Sequence, residues 1–65
     1  MVEPGELYKI PNNPFYVFVL AIAEESDDKV VMSILWTNPH TYDTGEPDVY
    51  EANKSDLKKW KVVNV

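Results

Sequence analysis

The stretch from Phe15 to Trp36 decides what this chain can become. An apolar run, Phe-Tyr-Val-Phe-Val-Leu-Ala-Ile-Ala, leads into Glu24-Glu25-Ser26-Asp27-Asp28, and then into Lys-Val-Val-Met-Ser-Ile-Leu-Trp. Periodicity alone does not separate a short buried strand from a helical segment. Residue type does. Phe15, Tyr16, Val17, Phe18, Val19 and Ile22 are aromatic or β-branched, which suits a pleated surface and loses χ1 freedom in a helix. Pro14 biases Asn13 away from the helical region. The second run has the same character, and Glu24 to Lys29 supplies turn chemistry between the two. The prediction is a long β-hairpin.

With a turn centred between Ser26 and Asp27, Val19 faces Ile34, Val17 faces Trp36, Ala21 faces Met32, and Glu24 meets Lys29 as a cross-strand ion pair. One face then carries Val17, Val19, Ala21, Val30, Met32, Ile34 and Trp36. The other carries Tyr16, Phe18, Leu20, Ile22, Val31 and Leu35, with Ser33 and Thr37. Both faces are apolar, whereas a half-solvated antiparallel sheet shows one polar face. Two arrangements satisfy this. Either the sheet curls into a small barrel with a loop over its outer side, or a second chain covers it.

The remaining segments are short. Met1 to Gly5 reads as a frayed end with a Pro4-Gly5 turn. Glu6 to Ile10 alternates, with Tyr8 and Ile10 inward, and Pro11 to Pro14 is a stiff connection. Residues 37–47 form a loop that is long for a compact domain, and loops of that length often carry function or cover a core. Tyr42 suits the covering role. Asp48 to Ala52 alternates as a fourth strand. Asn53 and Asp56 resemble a helix N-cap and its capping-box partner, opening a turn over Lys54 to Trp60 with Leu57 and Trp60 on one side. Lys61 to Val65 closes the chain as a last strand. Phe18 and Trp60 are expected in the core.

Sixty-five residues make one domain, 1–65. A core of this size supports only about 3–5 kcal/mol. The sequence has no cysteine, so disulfides and thiolate metal sites are ruled out and a cytoplasmic setting is expected. The apolar run is half the roughly 20 residues a bilayer helix needs, and Glu3 and Glu6 do not suit a signal peptide. Net charge is −5, and every basic residue is lysine. Lacking the arginine fork that reads guanine and phosphate, an acidic chain is repelled by a phosphate backbone. Direct nucleic-acid binding is therefore disfavoured, and a protein partner, including a basic one, is the easier match.

Strand, loop, long hairpin, loop, strand, one helical turn and short strand, from Pro4-Gly5-Glu6-Leu7-Tyr8-Lys9-Ile10 to the closing Glu51 to Val63, is an order similar to that of small SH3-like barrels. It also resembles short uncharacterised proteins of bacteria and their phages. The resemblance implies an all-β, five-stranded SH3-like barrel with one helical turn near its C-terminus, and a ligand site at the hairpin's open end beside the long loop. The Ala-Leu-Tyr-Asp-Tyr segment and paired tryptophans of proline-peptide-binding SH3 domains do not occur, so that activity is not implied. Fold does not fix function.

Five residues are candidate binding residues: Tyr8, Trp36, His40, Tyr42 and Tyr50. Tyrosine and tryptophan are favoured at binding surfaces, and the plainer reading of the same residues is core packing. His40, Asp43 and Glu46 recur every three residues and could converge on a metal as imidazole plus carboxylates, but they lack a fourth ligand and the Asp spacing of a calcium loop, and a solvated turn explains them; no metal or cofactor is expected. Glu24, Glu25, Asp27 and Asp28 suit a basic partner, or simply keep the hairpin tip soluble and unpaired. Lys54, Lys58, Lys59 and Lys61 form a basic cluster that suits an acidic partner, or complements the helix end. No nucleophile elbow or phosphate-cradling glycine loop is present, so a non-enzymatic protein-binding module is expected. A structural homodimer, and an acidic mimic that blocks a nucleic-acid-binding protein, are the alternatives.

Overall fold

The computed structural model describes residues 2–64. The strands are β1 (Leu7–Lys9), β2 (Tyr16–Glu25), β3 (Lys29–Thr37), β4 (Asp48–Asn53) and β5 (Lys61–Val62), with helix α1 (Lys54–Leu57) between β4 and β5. They form one antiparallel sheet in the order β4-β3-β2-β1-β5. The all-β expectation holds. The sheet is not closed, because β4 and β5 lie at its opposite edges.

The inner face of the hairpin is the core. Val17, Val19, Val30, Met32 and Ile34 are fully buried. They pack with Val2, Tyr8, Ala52, Leu57 and Trp60. Ile10, Ile22, Trp36 and Tyr50 lie against this cluster. Trp60 is core as expected, but Phe18 is not. It stands beside Leu35 on the outer face and is only half-buried.

The expected register holds only near the hairpin's open end, from Tyr16 opposite Thr37 to Val19 opposite Ile34. Leu20 and Ala23 are then each extra residues in β2, and Ile22, not Ala21, comes to face Met32. Each bulge leaves one residue unpaired and bends the strand. The bulges bring Ile22, in place of alanine, partly buried against the core, a gain of at most about 2 kcal/mol at ~0.8 kcal/mol per methylene. The turn moves with the register: Ser26 N donates to Lys29 O at 2.9 Å. Glu24 thus lies opposite Val31, and the expected Glu24–Lys29 pair does not form. Lys29 instead pairs with Glu51 at 3.4 Å, and Glu25 with Lys54 at 2.8 Å.

The N-terminal segment is docked rather than frayed, apart from Met1, which lies outside the described residues. Val2 is buried. Glu6 N donates to Glu3 O, closing a turn with Pro4 and Gly5 at its centre and Gly5 at φ 87°. That places proline and glycine where a type II turn wants them. Gly5 N donates to Val19 O, and Val19 N to Glu6 O, so the segment extends the pairing of β2.

The helix is a single turn. Asn53 has the extended backbone of an N-cap, but its side chain makes no capping bond. A turn this short draws its stability from packing, here from buried Leu57 and Trp60. Lys54 fastens it to the hairpin tip, with its backbone N donating to Asp28 O at 2.8 Å and its Nζ on Glu25. The last strand is shorter than expected. Val62 is half-exposed and Val63 partly buried, while Val65 lies outside the described residues.

The bulged register makes opposite demands on two neighbours. Ile22→Ala should cost up to about 2 kcal/mol, whereas exposed Ala21→Ser should stay within about 0.5 kcal/mol. Urea unfolding of both variants reads the difference; the unbulged register predicts the reverse order.

Candidate functional site

The loop after β3 is built by its own hydrogen bonds. Asn38 Oδ1 accepts from His40 N at 2.8 Å and Thr41 N at 3.1 Å. Asn38 O accepts from Tyr42 N, and Asn38 N donates to Asp43 O, both at 2.8 Å. Thr41 Oγ1 accepts from Asp43 N. Gly45 N donates to Trp36 O at 2.9 Å, and Thr37 bridges to Thr44. Asparagine before proline supplies this chemistry, because its side chain mimics a backbone acceptor. The loop is consequently a fixed wall.

Between this wall and the start of β2 lies a shallow groove of about 610 Å³, lined by Asn13, Phe15, Trp36, Asn38, Asp43, Thr44 and Gly45. Its size is in the range of ligand-binding clefts, about 300–1,000 Å³. Phe15 is 46% exposed, and Trp36 is half-buried. Phe15 is held by its N–H, which donates to Asn13 Oδ1 at 2.9 Å. Trp36 donates its indole N–H to Asp48 Oδ2 at 3.2 Å and meets Tyr50 edge-on with ring centroids 5.7 Å apart. Tyr50 contacts Trp60 at 5.7 Å, and Trp60 contacts Tyr8 at 6.0 Å. The floor of the groove is thus one end of an aromatic row that runs into the core.

The five candidate residues occupy three environments. Trp36 lines the groove. Tyr8 and Tyr50 lie deeper in the aromatic row; Tyr8 is buried, and its hydroxyl accepts from Glu3 N at 2.8 Å. His40 is exposed on the loop and does not line the groove. Tyr42 is 45% exposed, with its ring 6.4 Å from that of Tyr16. It partly covers Tyr16, in line with the covering role. Phe15, Asn13 and Gly45 were not among the candidates. Phe15 is hidden in sequence by the apolar run it opens, although its place directly after Pro14 marks the strand's exposed start.

Tyr42 adopts φ 61°. A left-handed backbone costs a residue with a Cβ about 1–2 kcal/mol, and the position is one that glycine or asparagine usually fills. A bulky ring is therefore displayed here against the local backbone preference.

Two other hollows are more polar. One, at the hairpin tip, is lined by Glu24, Glu25, Ser26, Lys29, Val31 and Glu51. Another lies beside Asp56, Lys59 and Trp60. Among the described residues, no three His, Asp or Glu side chains gather as a metal site; His40, Asp43 and Glu46 do not converge. No helix among the described residues is long and apolar enough to cross a membrane. No protein-family model, curated protein or solved structure matches the chain.

The strain at Tyr42 predicts an unusual pair of substitutions. Tyr42→Gly should leave stability within about 1 kcal/mol of wild type, because relief of the backbone offsets the lost ring contact. Tyr42→Ala should be the less stable of the two, since it keeps the strained φ and loses the ring. Thermal unfolding followed by circular dichroism separates them.

Proposed function

We propose that the chain is a non-enzymatic protein-binding module that takes an extended segment of a partner protein into the groove between Phe15, Trp36 and the 38–45 loop. The observation that carries this reading is the groove itself. Exposed Phe15 and half-buried Trp36 line it together, against a loop stiffened by its own hydrogen bonds. Rigid aromatic anchors bind with little loss of conformational entropy. Asp43 on the groove wall, Asp48 beside Trp36 and a net charge of −5 favour a segment with an apolar side chain next to lysine or arginine. The strand order β4-β3-β2-β1-β5, with its helical turn between β4 and β5, supports the SH3-like reading of the topology, in which such a site is expected.

Selection of linear peptides from a random displayed library tests this. Enriched sequences should pair an apolar anchor with basic neighbours. Amide shifts on titrating a selected peptide into labelled protein should cluster at residues 13–16 and 36–45. Phe15→Ala, at an exposed position, should weaken binding about tenfold or more, equivalent to roughly 1.4 kcal/mol, while the circular dichroism spectrum is unchanged. Binding that survives both Phe15→Ala and Trp36→Ala, or shifts that map to the outer face of the sheet, would contradict the proposal.

A further inference from the structure

The chain has six lysines and no arginine. Lys29 is paired with Glu51, and Lys54 with Glu25. The other four make no ion pair among the described residues, and three of them come together. Lys9, Lys59 and Lys61 line one hollow of about 300 Å³ with Pro11, while Lys58 stands outside it. Lys9 is directly opposite Lys61 on β1 and β5. Side chains in that register start about 5 Å apart, and like charges there repel. The adjoining hollow brings Asp56 near Lys59, but the two form no ion pair among the described residues.

The ordinary uses of surface lysine do not account for this grouping. A lysine on an edge strand guards it from pairing with another chain, which explains Lys61. Lys9, however, lies on β1, between β2 and β5. Positive charge also suits a helix C-terminus, but Lys58 already occupies the C-cap of α1. The backbone around the hollow is fixed. Asn13 N donates to Ile10 O at 3.3 Å, closing a turn with Pro11 and Asn12 at its centre and Asn12 at φ 62°, the geometry of a type II turn. Lys59 N donates to Asp56 O at 3.0 Å, and Val63 N to Leu7 O at 2.8 Å. The three ammonium groups are thus gathered before any ligand arrives, which lowers the entropy cost of binding one.

We propose that Lys9, Lys59 and Lys61 bind a phosphoryl dianion, carried by a phosphate monoester or present as free phosphate. Three ammonium donors answer the three terminal oxygens and the charge of nearly −2 that such a group carries. Lysine binds phosphate as a point charge and needs no guanidinium fork. A carboxylate offers two oxygens and a single charge, so it leaves this cluster less well matched. The surrounding charge selects for a compact anion. Net charge is −5 with these three lysines included, so the rest of the chain carries −8. A long polyanion reaches that negative surface and is repelled, whereas a single phosphoryl group lies within about 8 Å of the lysines, inside the screening length at physiological salt. The hollow shares no lining residue with the groove between Phe15 and Trp36, so this site is independent of the peptide-binding reading.

Titration of the full chain, labelled with ¹⁵N, tests the proposal with two probes, inorganic phosphate and O-phosphoserine, each against sodium chloride of matched ionic strength. Amide shifts should centre on Lys9, Lys59 and Lys61 and saturate with a Kd of about 1–10 mM. Tighter binding of O-phosphoserine assigns the group to a monoester, and equal or weaker binding assigns it to free phosphate. Lys9→Gln and Lys61→Gln should each weaken binding about fivefold, whereas Lys58→Gln, which removes the same charge outside the hollow, should change it less than about twofold. Without ligand, Lys9→Gln should melt no lower than wild type, because the cross-strand repulsion is gone. Shifts that sodium chloride reproduces would overturn the proposal. So would an absence of shifts with either probe, or a loss on Lys58→Gln as large as that on Lys9→Gln.

Discussion

The pairing of β2 with β3 is the contact on which the rest of the structure depends. It places Val17 and Val19 beside Ile34 and Met32, so that the five most deeply buried side chains all belong to this one hairpin. Every other element is held by what it adds to that surface. β1 brings Tyr8, β4 brings Ala52 and Tyr50, and α1 with the turn after it brings Leu57 and Trp60. No disulfide assists. In a domain of this size the margin is a few kcal/mol, so each aromatic cap is a sizeable share of it. The aromatic row Tyr8–Trp60–Tyr50–Trp36 serves this purpose and, at its open end, becomes the floor of the groove. Core and proposed binding surface are therefore one continuous arrangement of rings.

A chain of sixty-five residues has enough secondary structure to cover one side of a ribbon that is apolar on both sides. Val2 of the terminal segment, Leu57 of the helical turn and Trp60 after it all pack on the inner side, while the short last strand extends the sheet at its edge. On the outer side, among the described residues, Tyr42 and Thr44 of the 38–47 loop meet the row of Tyr16 and Thr37. The resulting asymmetry is where function is expected, because a contiguous apolar patch left open on a folded domain marks contact with something else. The left-handed backbone at Tyr42 points the same way. Backbone strain that a glycine would relieve persists where the side chain has a use.

Much of this was legible in the residues. β-branched and aromatic composition identified both long strands, Glu24 to Lys29 identified the turn, and the two-sided apolar pattern identified a face in need of cover. The bulges were not legible. Nothing in Val19-Leu20-Ala21-Ile22-Ala23 marks which residue is to be left unpaired, and the choice follows from tertiary burial of Ile22 against Met32. Phe18 was misplaced for a related reason. A large aromatic residue in an apolar run reads as core, although its parity with Tyr16 set it on the outer side from the start. The docked N-terminus was half visible, in that Pro4-Gly5 announced the turn but not that Val2 would be buried behind it. At the groove, Trp36 could be found from composition, whereas Phe15 and Gly45 matter through a loop conformation that local spacing does not reveal.

One face of the hairpin is sealed by the chain, and the other is open. Relaxation of side-chain methyl signals by a soluble gadolinium chelate, at a dilution where the protein is monomeric, measures this directly. The methyls of Val17, Val19, Val30 and Ile34 should be untouched, while those of Leu35, Val31 and Val49 should relax strongly. Equal protection of the two sets would mean that the chain covers both faces by itself, and would contradict the division of the hairpin into a sealed side and an open one.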